Sequence, residues 1–201
     1  MELVGTIVNL QVQRSSLKLG ERPHRWFDPA PLLAVPALVL DPDGVCGLLP
    51  GGERVVDVHN RRHPESRHGN GNGVSVGFAS HYARMRARLG ARAADGVAGE
   101  NILVAGEPAF VEGDLPATLV VEGPQGSVRL EGMRVMEPCV EFSRWVLGLT
   151  GRPAQDLTRP DPAVTPTLTF LRFGMRGYCG SLAGGPATLR LGDRVYVERG
   201  A

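Results

Sequence analysis

A cysteine beside a proline is the residue of this chain whose position most directly invites chemistry. Cys139 lies in the segment VMEPCVEFSRW, residues 135–145, where a strand-like pattern gives way to a helical one. The apolar residues that follow fall at helical spacing: Phe142, Trp145, Val146 and Leu149. Pro138 suits the first turn of such a helix, because its missing N–H costs little there. Cys139 would then lie in the same turn, where unpaired N–H groups and the helix dipole favour a thiolate that binds metal or carries sulfur. Spacing alone favours the alternative, a buried and inert thiol.

A polar segment, HNRRHPESRHGNGNG, covers residues 59–73 without any apolar periodicity, which is typical of a functional loop. It contains three histidines: His59, His63 and His68. A zinc site is disfavoured, because no second cluster completes a tetrahedral ligand set and Pro64 breaks the helix that this spacing would need. An anion fits better, since glycines let the backbone approach closely and Arg62, Arg67 and His68 can donate hydrogen bonds to phosphate.

The motif Gly99-Glu100-Asn101 closes the stretch DGVAGEN and leads into a predicted strand. Taken alone it predicts a polar turn, with an asparagine that tolerates unusual backbone angles. It becomes informative only in combination with other motifs.

The bulk composition is that of one globular domain. The 201 residues are 42% hydrophobic and 21% charged, and the net charge of +1 gives no indication of a nucleic-acid or membrane surface. No run approaches the roughly 18 apolar residues of a transmembrane helix, and the strand-like N-terminus with its acidic Glu2 does not resemble a signal peptide. Three scattered cysteines do not form a disulfide framework. We therefore expect a cytoplasmic protein.

Arginine dominates the basic residues. Of the 22 lysines and arginines, only Lys18 is a lysine, so Schiff-base chemistry with pyridoxal phosphate is not expected. The planar guanidinium suits a phosphate-bearing ligand, although a GC-rich genome would give the same bias.

The elements that must position these residues are mainly short strands. With 27 glycines and 16 prolines and few aromatic residues, many turns are expected. Strands are predicted over residues 4–12, 32–40 with an interruption at Pro36, 54–58, 102–104, 117–122, 128–135, 168–173 and 189–197. A helix is predicted from an N-cap at Ser80 to a stop at Gly90, with Tyr82 and Met85 in the core. The pattern predicts a mainly β, curved and barrel-like fold with a few short helices.

The order of the motifs resembles the MOSC domain, the module at the C-terminus of molybdenum-cofactor sulfurases and in molybdenum-dependent reductases of N-hydroxylated compounds. The resemblance runs through SRHGNGNGVSVGFASHY, GVAGENILVAG, VEGDL, MEPCVEF, FGMRGYCGSL and LRLGDRVYV. It spans the chain from the histidine-rich loop to the last strand. It implies a single MOSC domain over residues 1–201, built as a MOSC β-barrel.

The resemblance also assigns roles to the motifs. Cys139 matches the cysteine that ligates molybdenum in the reductases and is proposed to carry persulfide sulfur in sulfur transfer. Gly99, Glu100 and Asn101 match the motif that lines the cofactor pocket. The donors to the pterin and its phosphate would be Arg62, Arg67, His68, Arg176 and Asn101. Cys46 and Cys179 are expected to be structural thiols.

The implied cofactor is the molybdenum cofactor, molybdopterin. In a reductase, electrons would come from a separate redox partner, because no flavin or iron–sulfur motif is present. In a sulfurtransferase, a separate cysteine desulfurase would deliver persulfide sulfur to Cys139. The alternative is a non-catalytic carrier or sensor of the cofactor or another anion. Asn72 and Gly73 keep this alternative open, because an acid and a basic residue commonly follow the loop in relatives. No nucleic-acid or membrane partner is expected.

Overall fold

The structure is a computed structural model that describes residues 1–22, 24–66, 73–106, 118–149 and 161–198. The strands are β1 Glu2–Gln13, β2 Lys18–Leu19, β3 Trp26–Phe27, β4 Leu32–Ala34, β5 Ala37–Asp41, β6 Gly44–Leu48, β7 Arg54–Val56, β8 Val74–Phe78, β9 Ile102–Ala105, β10 Thr118–Gly123, β11 Gly126–Val135, β12 Tyr178–Ala183, β13 Ala187–Arg190 and β14 Arg194–Glu198. The helices are α1 Ala79–Leu89, α2 Val140–Val146 and α3 Val164–Leu171.

Seven strands close into a barrel in the order β1–β14–β10–β11–β12–β8–β9 and back to β1. Each neighbouring pair is antiparallel except β8 and β9, which are parallel and are joined by a crossover through α1. The strand β1 pairs with β14 at one end and with β9 further along, and its register shifts between Leu3 and Gly5. A side chain at Gly5 would collide with the carbonyl oxygen of Ala105, so glycine is required where the barrel closes. The mainly β, barrel-like fold with short helices is therefore confirmed.

Two apolar cores stabilise the molecule. The first fills the barrel with alternating residues of its strands, such as Leu10, Leu119 and Leu130, all fully buried. The second lies outside the barrel, where the helices meet the β2–β3 hairpin. There the ring of Phe27 packs edge-on against Phe142, with 5.2 Å between their centroids. This second core seats α2 and thereby places Cys139 at one end of the barrel.

A smaller antiparallel sheet, ordered β13–β5–β6–β7, flanks the barrel. The predicted strand over residues 32–40 is divided at Pro36 into β4 and β5, as its interruption indicates. The turn Asp41-Pro42-Asp43-Gly44 joins β5 to β6 in a hairpin, in which Asp41 pairs with Gly44. The sheet carries the chain toward the polar loop that begins at His59.

Several local predictions are wrong. The strand predicted over residues 189–197 is two strands, β13 and β14, which belong to different sheets, and β8 and β12 were not predicted. The predicted strand over residues 168–173 belongs to helix α3, whose buried residues Val164, Thr167 and Leu171 share one helix face. Pro166 is tolerated because it lies in the first turn, where its missing N–H has no intrahelical partner. The helix α2 begins after Cys139, which is its N-cap, so Pro138 lies outside it. The N-cap of α1 is Phe78, and Ser80 lies within the helix.

Within the part of the chain that the structure describes, no helix is long and apolar enough to cross a membrane.

Candidate functional site

A cavity of about 1190 Å³ opens at the end of the barrel where β1 and β11 finish and β8 and β12 begin. This volume is enough for a ligand larger than a simple anion. Its wall carries two cysteines, Cys139 and Cys179, and the start of the polar loop at His59. Segments far apart in the chain meet here because the barrel brings these strand ends together.

The side chain of Cys139 lies on the cavity wall at the start of α2 and is partly buried. As the N-cap residue it has an extended backbone, and its Sγ accepts a hydrogen bond from the N–H of Phe142 at 3.5 Å. Its carbonyl oxygen accepts from the N–H and the hydroxyl of Ser143. An N-cap side chain is the group that accepts hydrogen bonds from the N–H groups of the first helical turn. Cys139 is thus a fixed sulfur on the wall of the cavity.

The side chain of Asn101 braces the cavity wall. Its Oδ1 accepts from the N–H and the hydroxyl of Ser75, at 3.2 and 2.9 Å. Its Nδ2 donates to the carbonyl of Gln11 at 3.2 Å and to Asp57 Oδ2 at 3.0 Å. These four bonds use the two donors and two lone-pair positions of the amide. Asn101 therefore fixes β1, β8 and the segment after β7 relative to one another.

The motif residue Glu100 and the cavity residue Arg176 form a buried ion pair. Arg176 Nη1 lies 2.5 Å from Glu100 Oε1, and its Nη2 donates to the carbonyl of Ala98. The guanidinium also lies over the ring of Phe142, 5.1 Å from its centroid. The hydroxyl of Tyr82 donates to the other oxygen of Glu100, and burial together with the charge of Glu100 raises the pKa of Tyr82 well above its ordinary value. Arg176 thus joins the cavity wall to the helical core.

Two buried glutamines of β1 hold the backbone of the motif. Gln11 Nε2 donates to the carbonyls of Gly96 and Glu100, and Gln13 Nε2 donates to that of Gly99 at 2.8 Å. Gly99 has a φ of +100°, and a side chain there would collide with Leu17 and Gln13. Glycine is therefore required for the backbone to turn into β9. Neither Gly99 nor Glu100 lines the cavity, although the neighbouring Asn101 does.

Cationic side chains outnumber the acidic ones on the cavity wall. Lys18, Arg25, Arg134 and Arg176 line it, together with Glu65 and Glu137. Arg25 lies 3.6 Å from Glu141 of α2, and Arg176 is neutralised by Glu100. These two ion pairs leave Lys18 and Arg134 beside Glu65 and Glu137, so the wall offers cationic groups to an anionic ligand without a net excess of positive charge.

The second cavity thiol differs from Cys139 in its environment. Cys179 pairs across the strands with Arg134, and burial raises its pKa although the guanidinium of Arg134 lowers it. Cys179 is therefore held in its protonated form more firmly than an ordinary thiol. Burial likewise raises the pKa of Cys46, which lies away from the cavity and accepts a hydrogen bond from Asn60.

The other residues predicted for the site lie elsewhere or outside the described ranges. Arg62 does not line the cavity and is paired with Asp41 and Asp43 on an exposed face. Arg67 and His68 lie outside the described residues. Among the residues that are described, no group of three or more histidines, cysteines or acids is arranged to hold a metal ion.

Several wall residues were not predicted from the sequence. Gln13, Ser75 and Arg134 stand at strand ends and reach the cavity only because the barrel closes. A weak signal existed for Ser75, a polar residue within the apolar run VSVGF. Arg134 lies shortly before the Pro-Cys pair in the chain, and this nearness in sequence was the one indication that it could reach the same cavity as Cys139.

Comparison with known proteins gives one matching family and several solved structures of similar fold. The model of the MOSC domain family matches residues 64–196 of the chain. The crystal structure of the YuaD protein from Bacillus subtilis is similar, with a TM-score of 0.50, 13% identity, and coverage of 95% of this chain and 96% of that one. A crystal structure of a hypothetical protein has a TM-score of 0.52 and 12% identity, and the match covers 98% of this chain and 69% of that one. At these identities the structures are similar in fold alone. No curated protein gives a significant match.

Proposed function

Because this chain belongs to the MOSC domain family, which is associated with binding of the molybdenum cofactor, we propose that its cavity binds that cofactor with Cys139 as the protein ligand to the metal. The observation that supports this most strongly is the position of the Cys139 sulfur, held at a helix N-cap on the wall of a large cavity. A soft thiolate suits a metal with high affinity for sulfur.

The residues around the cavity fit the rest of such a cofactor. Lys18, Arg25 and Arg134 supply positive charge for a phosphate, and a guanidinium can bind it through two parallel hydrogen bonds. Asn101 and Arg176 hold the wall against which the pterin would lie. Glu65 and Ser66 also line the cavity, and Arg67 and His68 follow them directly in the chain. Arg67 and His68 therefore remain predicted hydrogen-bond donors to the same ligand.

The proposed reaction is the reduction of an N-hydroxylated compound. The cofactor, when bound, supplies the redox-active metal at which the N–O bond is cleaved. The reaction breaks that bond, consumes two electrons and two protons, and releases the amine and water. The electrons come from a separate redox protein, since the sequence contains no flavin or iron–sulfur motif. The residues of the protein position Cys139, restrict the orientation of the substrate in the cavity and supply protons.

Sulfur transfer is the second candidate, and the same cysteine supports it. The Cys139 sulfur is accessible from the cavity and accepts one long hydrogen bond, so it can hold a sulfane sulfur delivered by a cysteine desulfurase. The Cys139 thiolate would attack the outer sulfur of the desulfurase persulfide, forming a persulfide on Cys139 and releasing the desulfurase cysteine as its thiol. A protein that binds the cofactor and performs neither reaction would be a carrier or sensor.

The test is elemental analysis of protein co-expressed with the molybdenum-cofactor pathway, comparing wild type with Cys139→Ser and Cys179→Ser. We expect near-stoichiometric molybdenum in wild type and in Cys179→Ser, and its loss in Cys139→Ser. Cys179→Ser is the matched control, because it removes the other thiol of the same cavity. Absence of molybdenum from wild type, or equal amounts in all three proteins, would contradict the assignment of Cys139.

The activity is then measured on the loaded protein with an N-hydroxylated amidine or base and a chemical reductant. Turnover that Cys139→Ser abolishes supports the reductase. Persulfide on Cys139 after incubation with a desulfurase and cysteine, without any such turnover, supports sulfur transfer. A loaded protein that shows neither is a carrier.

A further inference from the structure

A histidine and a buried aspartate form a hydrogen-bonded pair beside Cys139's cavity, and the site as described so far does not use them. His59 Nδ1 lies 2.9 Å from Asp57 Oδ1, and the same oxygen accepts the backbone N–H of His59 at 2.9 Å. The aspartate side chain is 1% exposed, whereas that of His59 is 34% exposed and lines the cavity. The pair therefore runs from the protein interior to the cavity wall.

The carboxylate of Asp57 is held rigidly and in its charged form. Its second oxygen accepts from the N–H of Gln13 at 2.8 Å and from Asn101 Nδ2 at 3.0 Å. Burial raises the pKa of Asp57, but the hydrogen bonds from His59 and Gln13 outweigh burial, and the net pKa lies below its ordinary value. Every neighbour named here donates to this carboxylate, so Asp57 acts only as an acceptor.

An acceptor-only carboxylate selects one form of the imidazole. Nδ1 must carry a proton to donate to Asp57, so a neutral His59 holds its proton on Nδ1, and Nε2 is the nitrogen that gains and loses a proton. The neighbouring histidine is held the other way. His63 Nδ1 accepts from the N–H of Glu65 at 3.1 Å, and its Nε2 lies 3.1 Å from the carbonyl of Arg14. The two histidines are therefore expected in opposite tautomers.

We propose that His59 is the proton-transfer residue of this cavity and that Asp57 is its positioning residue, fixing the ring and its tautomer. The proposal rests on the reductase function proposed above. When the N–O bond breaks, with both electrons coming from the redox partner, the hydroxyl must take up a proton to leave as water. His59 supplies that proton from Nε2 and is reprotonated by solvent at the exposed part of the ring, and the nitrogen takes the second proton from solvent. Asn101 connects this pair to the motif that precedes β9, so the motif serves catalysis by holding Asp57.

The other charged side chains on the cavity wall set the electrostatic environment in which His59 gives up its proton. They are Lys18, Arg25, Glu65, Arg134, Glu137 and Arg176. A general acid of this kind contributes on the order of 100-fold to 10,000-fold to a rate.

The first test reads the tautomer and needs neither cofactor nor substrate. Protein with ¹⁵N-labelled histidine is studied by long-range proton–nitrogen correlation at a pH where the imidazoles are neutral, and His59→Gln and His63→Gln assign the signals. We expect the Nδ1–H pattern for His59 and the Nε2–H pattern for His63 in the same spectrum. Asp57→Asn should shift His59 to the Nε2–H form, as loss of the carboxylate does in other Asp–His pairs. An Nε2–H pattern for His59 in wild type would overturn the proposal.

The second test compares loaded wild type, His59→Gln and His63→Gln across a range of pH. We expect molybdenum content to be equal in all three proteins, and kcat of His59→Gln to fall about 100-fold to 1,000-fold with the loss of one limb of the pH profile. His63→Gln should behave as wild type, because His63 does not line the cavity. Equal kcat in loaded His59→Gln and wild type would overturn the proton-transfer role of His59 and would leave the proposed function unaffected. A wild type that takes up no molybdenum would instead contradict the proposed function, and the proton-transfer role with it.

Discussion

Removing the guanidinium of Arg176 tests whether this residue holds the barrel to its helices or serves the ligand alone. Arg176→Met keeps the length of the side chain and deletes its charge. The change leaves Glu100, which is 1% exposed, without its cation, and removes the donor to the carbonyl of Ala98. Loss of one partner of a buried ion pair costs about 3–5 kcal/mol. For a chain of this size, such a loss lowers the midpoint of thermal unfolding by about 6–20 °C.

The assay is unfolding of the cofactor-free protein by urea and by heat, so that no ligand contributes to the difference. Arg134→Met is the matched control, because Arg134 lines the same cavity but is exposed, and we expect a change within about 0.5 kcal/mol. The double variant Glu100→Gln/Arg176→Met should recover part of the loss, since it removes the uncompensated charge as well as its partner.

The reasoning would be refuted if Arg176→Met unfolded at the same urea concentration as wild type. That result would mean that Glu100 is accommodated without its cation, and that Arg176 serves only a ligand. A double variant with a loss equal to the sum of the two single losses would show that the pair is not coupled.

Three further predictions follow from the buried and cavity residues. The pKa of His81 is lowered from 6.5 to about 4, with burial the largest cause. As the pH falls, His81 therefore takes up a proton in the unfolded chain before it does so in the folded protein. Stability should therefore fall by roughly 3 kcal/mol as the pH drops from 6.5 to 4 and be unaffected above that range, and His81→Met should flatten this dependence in urea titrations at several pH values. Gly99→Ala should lower stability by about 1–3 kcal/mol in the same titrations, because the backbone there has a φ of +100° and the new methyl would meet Leu17; an unchanged midpoint would count against the required glycine. Arg134→Met should lower the molybdenum content of co-expressed protein while its cofactor-free stability stays unchanged; equal molybdenum would remove Arg134 from the phosphate site.

Local sequence pattern was sufficient for most of the barrel. The strands β1, β9, β10 and β11 each lie within two residues of their predicted ranges, whereas β8 and β12 were not predicted and β13 and β14 were predicted as one strand. The helix that ends before Gly90 and the position of Cys139 at a helix start were also predicted from the spacing of apolar residues, although the predicted N-cap at Ser80 was wrong. These features depend on residues close together in the chain, so they can be predicted without knowledge of the fold.

The prediction failed where a short apolar segment is compatible with either kind of element. Residues 164–171 contain three threonines, a valine and a phenylalanine, residue types that favour strands, yet burial of Val164, Thr167 and Leu171 on one face makes them a helix. That choice depends on the second apolar core against which the segment packs, and no local pattern encodes it.

The composition of the cavity depended on the tertiary structure to a greater degree still. Sequence motifs indicated Cys139, Asn101 and Arg176, and the closed barrel brings these three to one wall. In the closed barrel, the side chain of Glu100 is buried and forms an ion pair with Arg176. The closure also joins Asp57 to Asn101 across 44 residues of chain, which aligns His59 with the cavity. Such pairings are stabilised by burial and by complementary donors on distant strands, and these conditions exist only once the barrel has closed.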